Sequence, residues 1–174
     1  MARRRVATLQ DARDEHAVRR ARNARRAGLV ALALVVAAGL SGLLGIRSGT
    51  AESSADGYTL TVTYPQVTRA GIAVPFRVRV RHPGGFDGPL TLAISKRLFS
   101  RFDFQNHYPN PSTETSSADL VYYEFDPPPG DVFELDVDAR TAPDQNGSTT
   151  VYRTALVVDG TQLTDVSYRV WVVP

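Results

Sequence analysis

The chain divides into two parts by the period of its apolar residues. Residues 27–46 are twenty consecutive positions without a charged side chain, and ten of them are Leu, Val or Ile. A helix of that length spans about 30 Å, the thickness of a bilayer's hydrocarbon core. From Tyr58 onward the apolar residues recur at every second position, which is typical of strands with one buried face. The pattern predicts a transmembrane helix over 27–46 and an all-β domain over 58–174.

The charges around the apolar segment predict its orientation. Arginine is concentrated just before the segment, whereas Arg47 is the one basic residue between it and Glu52. The preceding arginines are Arg19, Arg20, Arg22, Arg25 and Arg26. By the positive-inside rule, the N-terminus is cytoplasmic and the chain after residue 47 is extracytoplasmic. We therefore expect a single-pass plasma-membrane protein with a basic, helical cytoplasmic segment over 1–26.

A cleaved secretory signal is the alternative interpretation of the apolar segment. Gly49 and Ala51 offer small residues at plausible −3 and −1 positions of a cleavage site. The apolar run is longer than the usual 7 to 15 residues of a signal, which favours an uncleaved anchor. Both interpretations place the β domain outside the cytoplasm.

Small residues recur at every fourth position of the predicted span, at Ala33, Ala37, Ser41 and Gly45. On a helix they form one shallow stripe where a second copy of the chain, or a helix of a polytopic membrane protein, can approach closely. An Ala- and Gly-rich span also produces such a stripe by chance.

Alternation and turn signals predict seven strands in the β domain. They cover residues 58–64, 72–81, 89–95, 120–125, 132–140, 149–158 and 162–173. Seven short strands without a helix-length run between them predict an antiparallel sandwich of immunoglobulin (Ig) or fibronectin type III kind. Residues 47–57 are small and polar, which predicts a flexible linker.

Charges of opposite sign on two predicted strands indicate how these strands pair. Three arginines alternate on the outer face of strand 72–81, and three carboxylates alternate on that of strand 132–140. In an Ig-type sheet these strands are antiparallel neighbours, so the charges form a ladder. The expected pairs are Arg77 with Asp138, Arg79 with Asp136 and Arg81 with Glu134. The alternative role of the three arginines is an anion-binding strip.

The candidate site is the long connection over 96–118, because structureless loops of this length are uncommon in compact domains and are often functional. It is rich in aromatic and basic residues, the types enriched in interface anchors. The candidate partner-binding residues are Arg97, Phe99, Arg101, Phe102, Phe104, His107 and Tyr108. The alternative is a short helix and flap whose apolar side chains pack against one end of the core.

Charge and composition exclude several classes of function. The net charge of +2 is the sum of about +7 over residues 1–47 and about −5 over residues 48–174. The folded domain is therefore acidic, and nucleic-acid binding is not expected. The absence of cysteine removes disulfides, thiolate metal sites and cysteine nucleophiles.

An enzyme is not expected either, and we predict no metal and no cofactor. The domain's two histidines, His82 and His107, have no metal-ligand spacing, and no G-x-S-x-G or phosphate loop occurs. A weak calcium site is conceivable at the turns containing Asp126, Asp131 and Asp144, but Asx turns explain these residues. Residues 146–148 match a glycosylation sequon, which turn chemistry also explains.

The arginine-rich head, the single span and the segments GIAVPFRVRVRHPGGFDGPLTL and YYEFDPPPGDVFELDVDAR resemble small single-span membrane proteins of high-GC Gram-positive bacteria with an Ig-like extracytoplasmic domain. The resemblance implies location and fold, and it brings no catalytic or ligand-binding residues. We therefore expect a membrane-anchored binding or accessory module that contacts a protein at the cell envelope. The alternative is a wall-glycan or small-ligand binding domain, which requires exposed aromatic rings.

Overall fold

The computed structural model describes residues 9–41, 45–144, 147 and 149–173, and the chain separates into two units, 1–45 and 46–174. In the first unit, helix α1 covers Leu9–Leu40, and its segment Ala17–Leu40 is long and apolar enough to cross a membrane. Its large apolar side chains are exposed, with Leu34 at 66%. A helix that is apolar on every side matches a lipid environment.

The described residues cover only parts of the predicted basic segment and of the predicted span, and α1 does not extend to the last small residue of the stripe. Parts of the basic segment and of the predicted span, residues 1–8 and 42–44, lie outside the described residues. Gly45 lies beyond the end of α1, so among the described residues the helical stripe of small side chains ends at Ser41. Association through Ala33, Ala37 and Ser41 stays a prediction.

The described residues of the second unit form ten strands and one short helix. The strands are β1 (Arg47–Ala55), β2 (Tyr58–Arg69), β3 (Ala73–Arg81), β4 (Leu90–Ser95), β5 (Phe102–Tyr108), β6 (Thr113–Ser116), β7 (Leu120–Phe125), β8 (Val132–Thr141), β9 (Thr149–Val158) and β10 (Thr161–Val173), and helix α2 is Lys96–Phe99. The seven predicted strands correspond to β2, β3, β4, β7, β8, β9 and β10. The turn that contains the sequon lies partly outside the described residues, since 145, 146 and 148 are not described.

All ten strands belong to one mixed sheet, in the order β5-β8-β3-β2-β10-β9-β4-β7-β6, with β1 paired to β2. The second unit is mostly β as predicted, but the prediction of seven antiparallel strands was wrong in strand number and at one pairing, that of β2 with β10, which is parallel. Strand β2 pairs with β3 over residues 59–63 and, in parallel, with β10 over residues 67–69. Between these two pairings lies Pro65, which has no backbone N–H to donate.

The sheet curls so that the inner faces of its two halves meet in one apolar core. Ring contacts mark this closure: Phe125 of β7 lies 4.8 Å from Phe133 of β8, and Phe76 of β3 lies 6.4 Å from Tyr168 of β10, between ring centroids. A one-residue shift of a strand would turn its outward residues, such as the arginines of β3, into this apolar core. The core therefore fixes which residues of each strand face inward.

The predicted pairing of the two charged strands is confirmed, but the predicted register was wrong by two residues. Arg77 of β3 lies opposite Asp136 of β8, with 2.6 Å from Nε to Oδ1, and Arg79 lies opposite Glu134, with 2.8 Å from Nε to Oε2. A shift by two residues keeps every charge on the outer face, so alternation alone does not fix it.

The ends of the predicted ladder have different partners from those expected. Arg81 lies opposite Val132, and Asp138 lies opposite Pro75 and accepts a hydrogen bond from the Asn106 amide at 3.2 Å. The ladder therefore contains two of the three arginines and two of the three carboxylates that were expected to form it.

The predicted flexible linker was wrong for nine of its eleven residues, because Arg47–Ala55 forms β1. This strand pairs with nearly the whole of β2, and Ser53 accepts a hydrogen bond from the Thr164 hydroxyl of β10 at 2.7 Å. Backbone pairing forms the strand even though its small side chains show no apolar alternation.

We expect Gly49→Ala to lower the free energy of unfolding by about 1–3 kcal/mol, the usual cost of overpacking. A Cβ at Gly49 would lie 2.8 Å from Cζ of Tyr64, whose ring stacks on Tyr168 at 4.6 Å. Chemical denaturation measures the loss. The neighbouring change Ser48→Ala, at an exposed position, should stay within about 0.5 kcal/mol of the parent. Equal stability of both variants would contradict an ordered β1.

Candidate functional site

The structure turns most of the seven residues that the sequence proposed for partner binding toward the core, and it leaves two of them exposed. Phe102, at the start of β5, is only 1% exposed and belongs to the core. Phe99 and Phe104 are partly buried against that core, and their rings meet edge to face at 4.9 Å. For these three rings the structure matches the alternative of a packed flap. Strand β5 pairs with β8, which directs Phe102 and Phe104 of β5 toward the core.

Arg101 and His107 are also engaged with the domain interior. The Arg101 guanidinium donates to the Tyr152 hydroxyl at 3.2 Å and to Thr150 Oγ1 at 3.4 Å. The His107 ring lies 4.8 Å from that of Tyr123, and its Nε2 is buried without a hydrogen-bond partner among the described residues. Both side chains therefore hold the flap against the sheet, which leaves Arg97 and Tyr108 as the exposed members of the set.

We expect the β domain to lose stability as the pH falls below about 6.5, and His107→Gln to reduce this loss. Burial lowers the pKa of His107 below 6.5, and the nearby Glu114 opposes that shift only in part. The facing Tyr123 stays neutral, since burial and Glu114 raise its pKa to about 12.

The sign of this dependence follows from proton linkage. Between the lowered pKa of folded His107 and its unfolded value of about 6.5, the unfolded state binds more protons, so stability is full above 6.5 and decreases as the pH falls through that interval. Melting temperatures of parent and variant measured across it provide the test. Parallel profiles for the two proteins would contradict a buried, neutral His107.

An exposed aromatic side chain outside the predicted site lies on the outer face of β10. In β10 the residues Val170 and Val172 are buried, whereas Trp171 between them points outward and is 51% exposed. On β9, Val151 is 52% exposed. These side chains belong to a groove of about 710 Å³, the Trp171 groove, which is lined by Arg47, Tyr64, Gln66, Val67, Val151, Ser167, Tyr168, Arg169 and Trp171.

Two arginines give this groove its charge. Arg169 lies directly opposite Val151 in the β9–β10 register, and Arg47 begins β1 at the other wall. Among the described residues, neither has a carboxylate within 4 Å. Arg153 differs, because its Nε lies 2.9 Å from Asp165. The groove is therefore an uncompensated basic site on a domain whose net charge is negative.

A second recess of about 380 Å³, the Arg97 recess, adjoins the groove. It is lined by Ser95, Arg97, Asp119, Leu120, Val151 and Arg153, so Val151 belongs to both depressions. We call the combined surface the Trp171 face. It brings one residue of the sequence-predicted set, Arg97, next to a surface that the sequence analysis did not identify.

The side chains of the Trp171 face are of the kinds that bind partners. Among the described residues no group of three His, Asp or Glu side chains could hold a metal ion. An exposed tryptophan and valine flanked by arginines are instead the side chains that anchor interfaces. The apolar groups provide burial, and the arginines provide fork-shaped donors for carboxylate or phosphate oxygens.

The sequence contained a signal for this face. Within residues 165–171 the outward phase of β10 reads Asp165, Ser167, Arg169 and Trp171, so the chain's single tryptophan occupies a polar position of an alternating strand. A large apolar side chain in that phase indicates an interaction surface. On β9, Val151 lies opposite Arg169 and is also a large apolar residue on the outward side of its strand.

No protein-family model matches the chain, and no curated protein matches it either. The resemblance to single-span membrane proteins of high-GC Gram-positive bacteria therefore stays a prediction.

Proposed function

We propose that the protein is a single-pass membrane protein whose extracytoplasmic β domain binds a protein partner through the Trp171 face. The arginines of α1 that precede the apolar run 27–46 support a cytoplasmic N-terminus by the positive-inside rule. Strand β1 begins at Arg47, directly after the apolar run 27–46, so the chain between the span and the domain is short. A domain on so short a tether meets proteins of the same membrane most readily, which suits an accessory subunit of a polytopic membrane protein.

The observation that carries this proposal is the composition of the Trp171 face. Half-exposed Val151 lies between the two depressions, with Arg97 on one side and Arg169 on the other. Buried apolar centres surrounded by polar rims are the usual anatomy of protein interfaces. The other outer face, by contrast, pairs Arg77 and Arg79 with carboxylates of its own sheet.

Photo-crosslinking in native membranes tests the partner proposal. A photoreactive residue in place of Val151 should give an adduct of defined mass, and Arg97→Glu with Arg169→Glu should abolish it. Val132, a valine 42% exposed on β8, is the matched control position and should give no such adduct. The proposal is contradicted if the photoreactive residue at position 151 yields only the uncrosslinked monomer. It is also contradicted if the photoreactive residues at positions 151 and 132 yield equal amounts of adduct.

Wall-glycan or small-ligand binding is the second candidate, and the exposed ring of Trp171 is the observation that favours it. The rings of the flap offer little to a sugar, because Phe102 is buried and Phe99 and Phe104 are partly buried. Saturable quenching of the single tryptophan by soluble wall fragments would support this candidate over the first.

We also propose that the curled sheet is a variant of the Ig-like sandwich. The order β8-β3-β2 matches strands E, B and A of one Ig sheet, and β10-β9-β4 matches strands G, F and C of the other. Strand β2 would then belong to both sheets, with β1, β5, β6 and β7 as further strands. This assignment agrees with the Ig-like domain that the sequence resemblance implies.

A further inference from the structure

We propose that the Trp171 groove binds the anionic headgroup of a lipid in the membrane that anchors the chain. The proposal rests on the anchoring part of the proposed function and does not require the protein partner. Its occupant is a lipid phosphate, held by Arg47 and Arg169 beside the indole of Trp171. The protein partner then contacts the rest of the Trp171 face, at Val151 and the Arg97 recess.

The position of Arg47 in the chain connects the groove with the headgroup layer of the membrane. Arg47 follows directly after the apolar run 27–46, so it reaches the headgroup layer when that run lies in the hydrocarbon core. Arg47 also lines the groove and begins β1, whose Cα register places it opposite Val67. In this proposal, Arg47 is therefore the residue through which the groove meets the headgroup layer.

The side chains of the groove match that layer. Tryptophan is enriched at membrane–water interfaces, where its ring is apolar and its N–H finds a polar partner. Arginine binds phosphate through two parallel N–H donors. Arg169 and Arg47 have no carboxylate within 4 Å among the described residues, so their donors are not committed to an ion pair. On the outer face of β3, the arginines Arg77 and Arg79 are already paired.

Fluorescence of the full chain in protein-free vesicles tests the proposal, because Trp171 is the single tryptophan. The vesicles contain phosphatidylcholine alone or mixed with phosphatidylglycerol, and the acyl chains are brominated close to the headgroup. We expect a blue shift and loss of Trp171 emission that increase with phosphatidylglycerol. Arg169→Glu should remove this increase. Arg81→Glu, at an exposed arginine of β3, should keep it.

Three results would overturn the proposal. The first is emission unaffected by brominated lipid in both compositions, and the second is equal quenching in the parent and Arg169→Glu proteins. The third concerns soluble glycerol phosphate added to phosphatidylcholine vesicles. If it changes Trp171 emission as much as phosphatidylglycerol does, the ligand is a free anion. A chain that fails to float with the vesicles would contradict the anchoring as well. Because no other protein is present, failure of the partner proposal leaves this result unchanged.

Discussion

Replacing Phe102 by alanine should lower the free energy of unfolding of the β domain by about 3–5 kcal/mol, the range for removing a buried aromatic side chain. Phe102 is 1% exposed, and its ring stacks at 6.5 Å from that of Phe104. The truncation leaves a cavity beneath α2 and β5 that the paired strands cannot close. Thermal or chemical unfolding of the full chain in detergent micelles, followed by circular dichroism of the β signal, measures the loss.

Tyr108→Ala is the matched control for this prediction. Tyr108 ends the same strand but is 58% exposed, so its truncation should change stability by no more than about 0.5 kcal/mol. The pair separates two roles that the sequence could not distinguish. A loss below about 1 kcal/mol for Phe102→Ala would place this ring on the surface, where the partner-binding interpretation had it.

Two arginines at the centre of the apolar segment, in Leu34→Arg with Ala37→Arg, should remove the chain from the membrane. The ten aliphatic residues of 27–46 contribute about −3 to −6 kcal/mol to insertion, at about −0.3 to −0.6 each. Two central arginines cost about 5–7 kcal/mol, which outweighs this contribution. Alkaline extraction and flotation of membranes measure the retained fraction.

The control places the same two charges before the apolar segment, as Ala21→Arg with Ala24→Arg. These positions lie within the arginine-rich part of α1, where added positive charge follows the existing bias and should leave retention unchanged. If the variant with Leu34→Arg and Ala37→Arg stayed in the membrane as fully as this control, residues 27–46 could not be the segment that holds the chain in the bilayer.

The strands that sequence reasoning found are those with one buried face. In β3, for example, Val78 and Val80 are fully buried while Arg77 and Arg79 are exposed, so burial is visible directly as alternation. Strand β1 could not be found in this way, because its stability comes from backbone pairing with β2 and from hydroxyl contacts such as that of Ser53.

The flap and the register show a second limit of sequence reasoning. In the sequence, an aromatic residue that anchors a partner cannot be distinguished from one that packs in the core. The pairing of β5 with β8 is what buries Phe102. The register of β3 against β8 is equally invisible. It depends on inner neighbours such as Phe76 and Val137, which a two-residue slip would exchange without moving any charge inward.

The candidate site was missed for a different reason. Attention to long loops favoured residues 96–118, whereas Trp171 and Val151 lie within regular strands. Their signal is one of phase, since each is a large apolar residue on the outward side of its strand. Arg97 is the residue that the two approaches share, because it borders the recess beside Val151.

The central claim is that the chain crosses the membrane once and presents its β domain outside the cytoplasm, and single-cysteine labelling tests it most directly. The natural chain has no cysteine, so Ser116→Cys on exposed β6 and Val18→Cys on α1 each provide a unique thiol. In intact cells, a membrane-impermeant maleimide should label Cys at position 116, and it should label position 18 only after permeabilisation. Labelling of position 18 alone in intact cells would invert the topology and contradict the account.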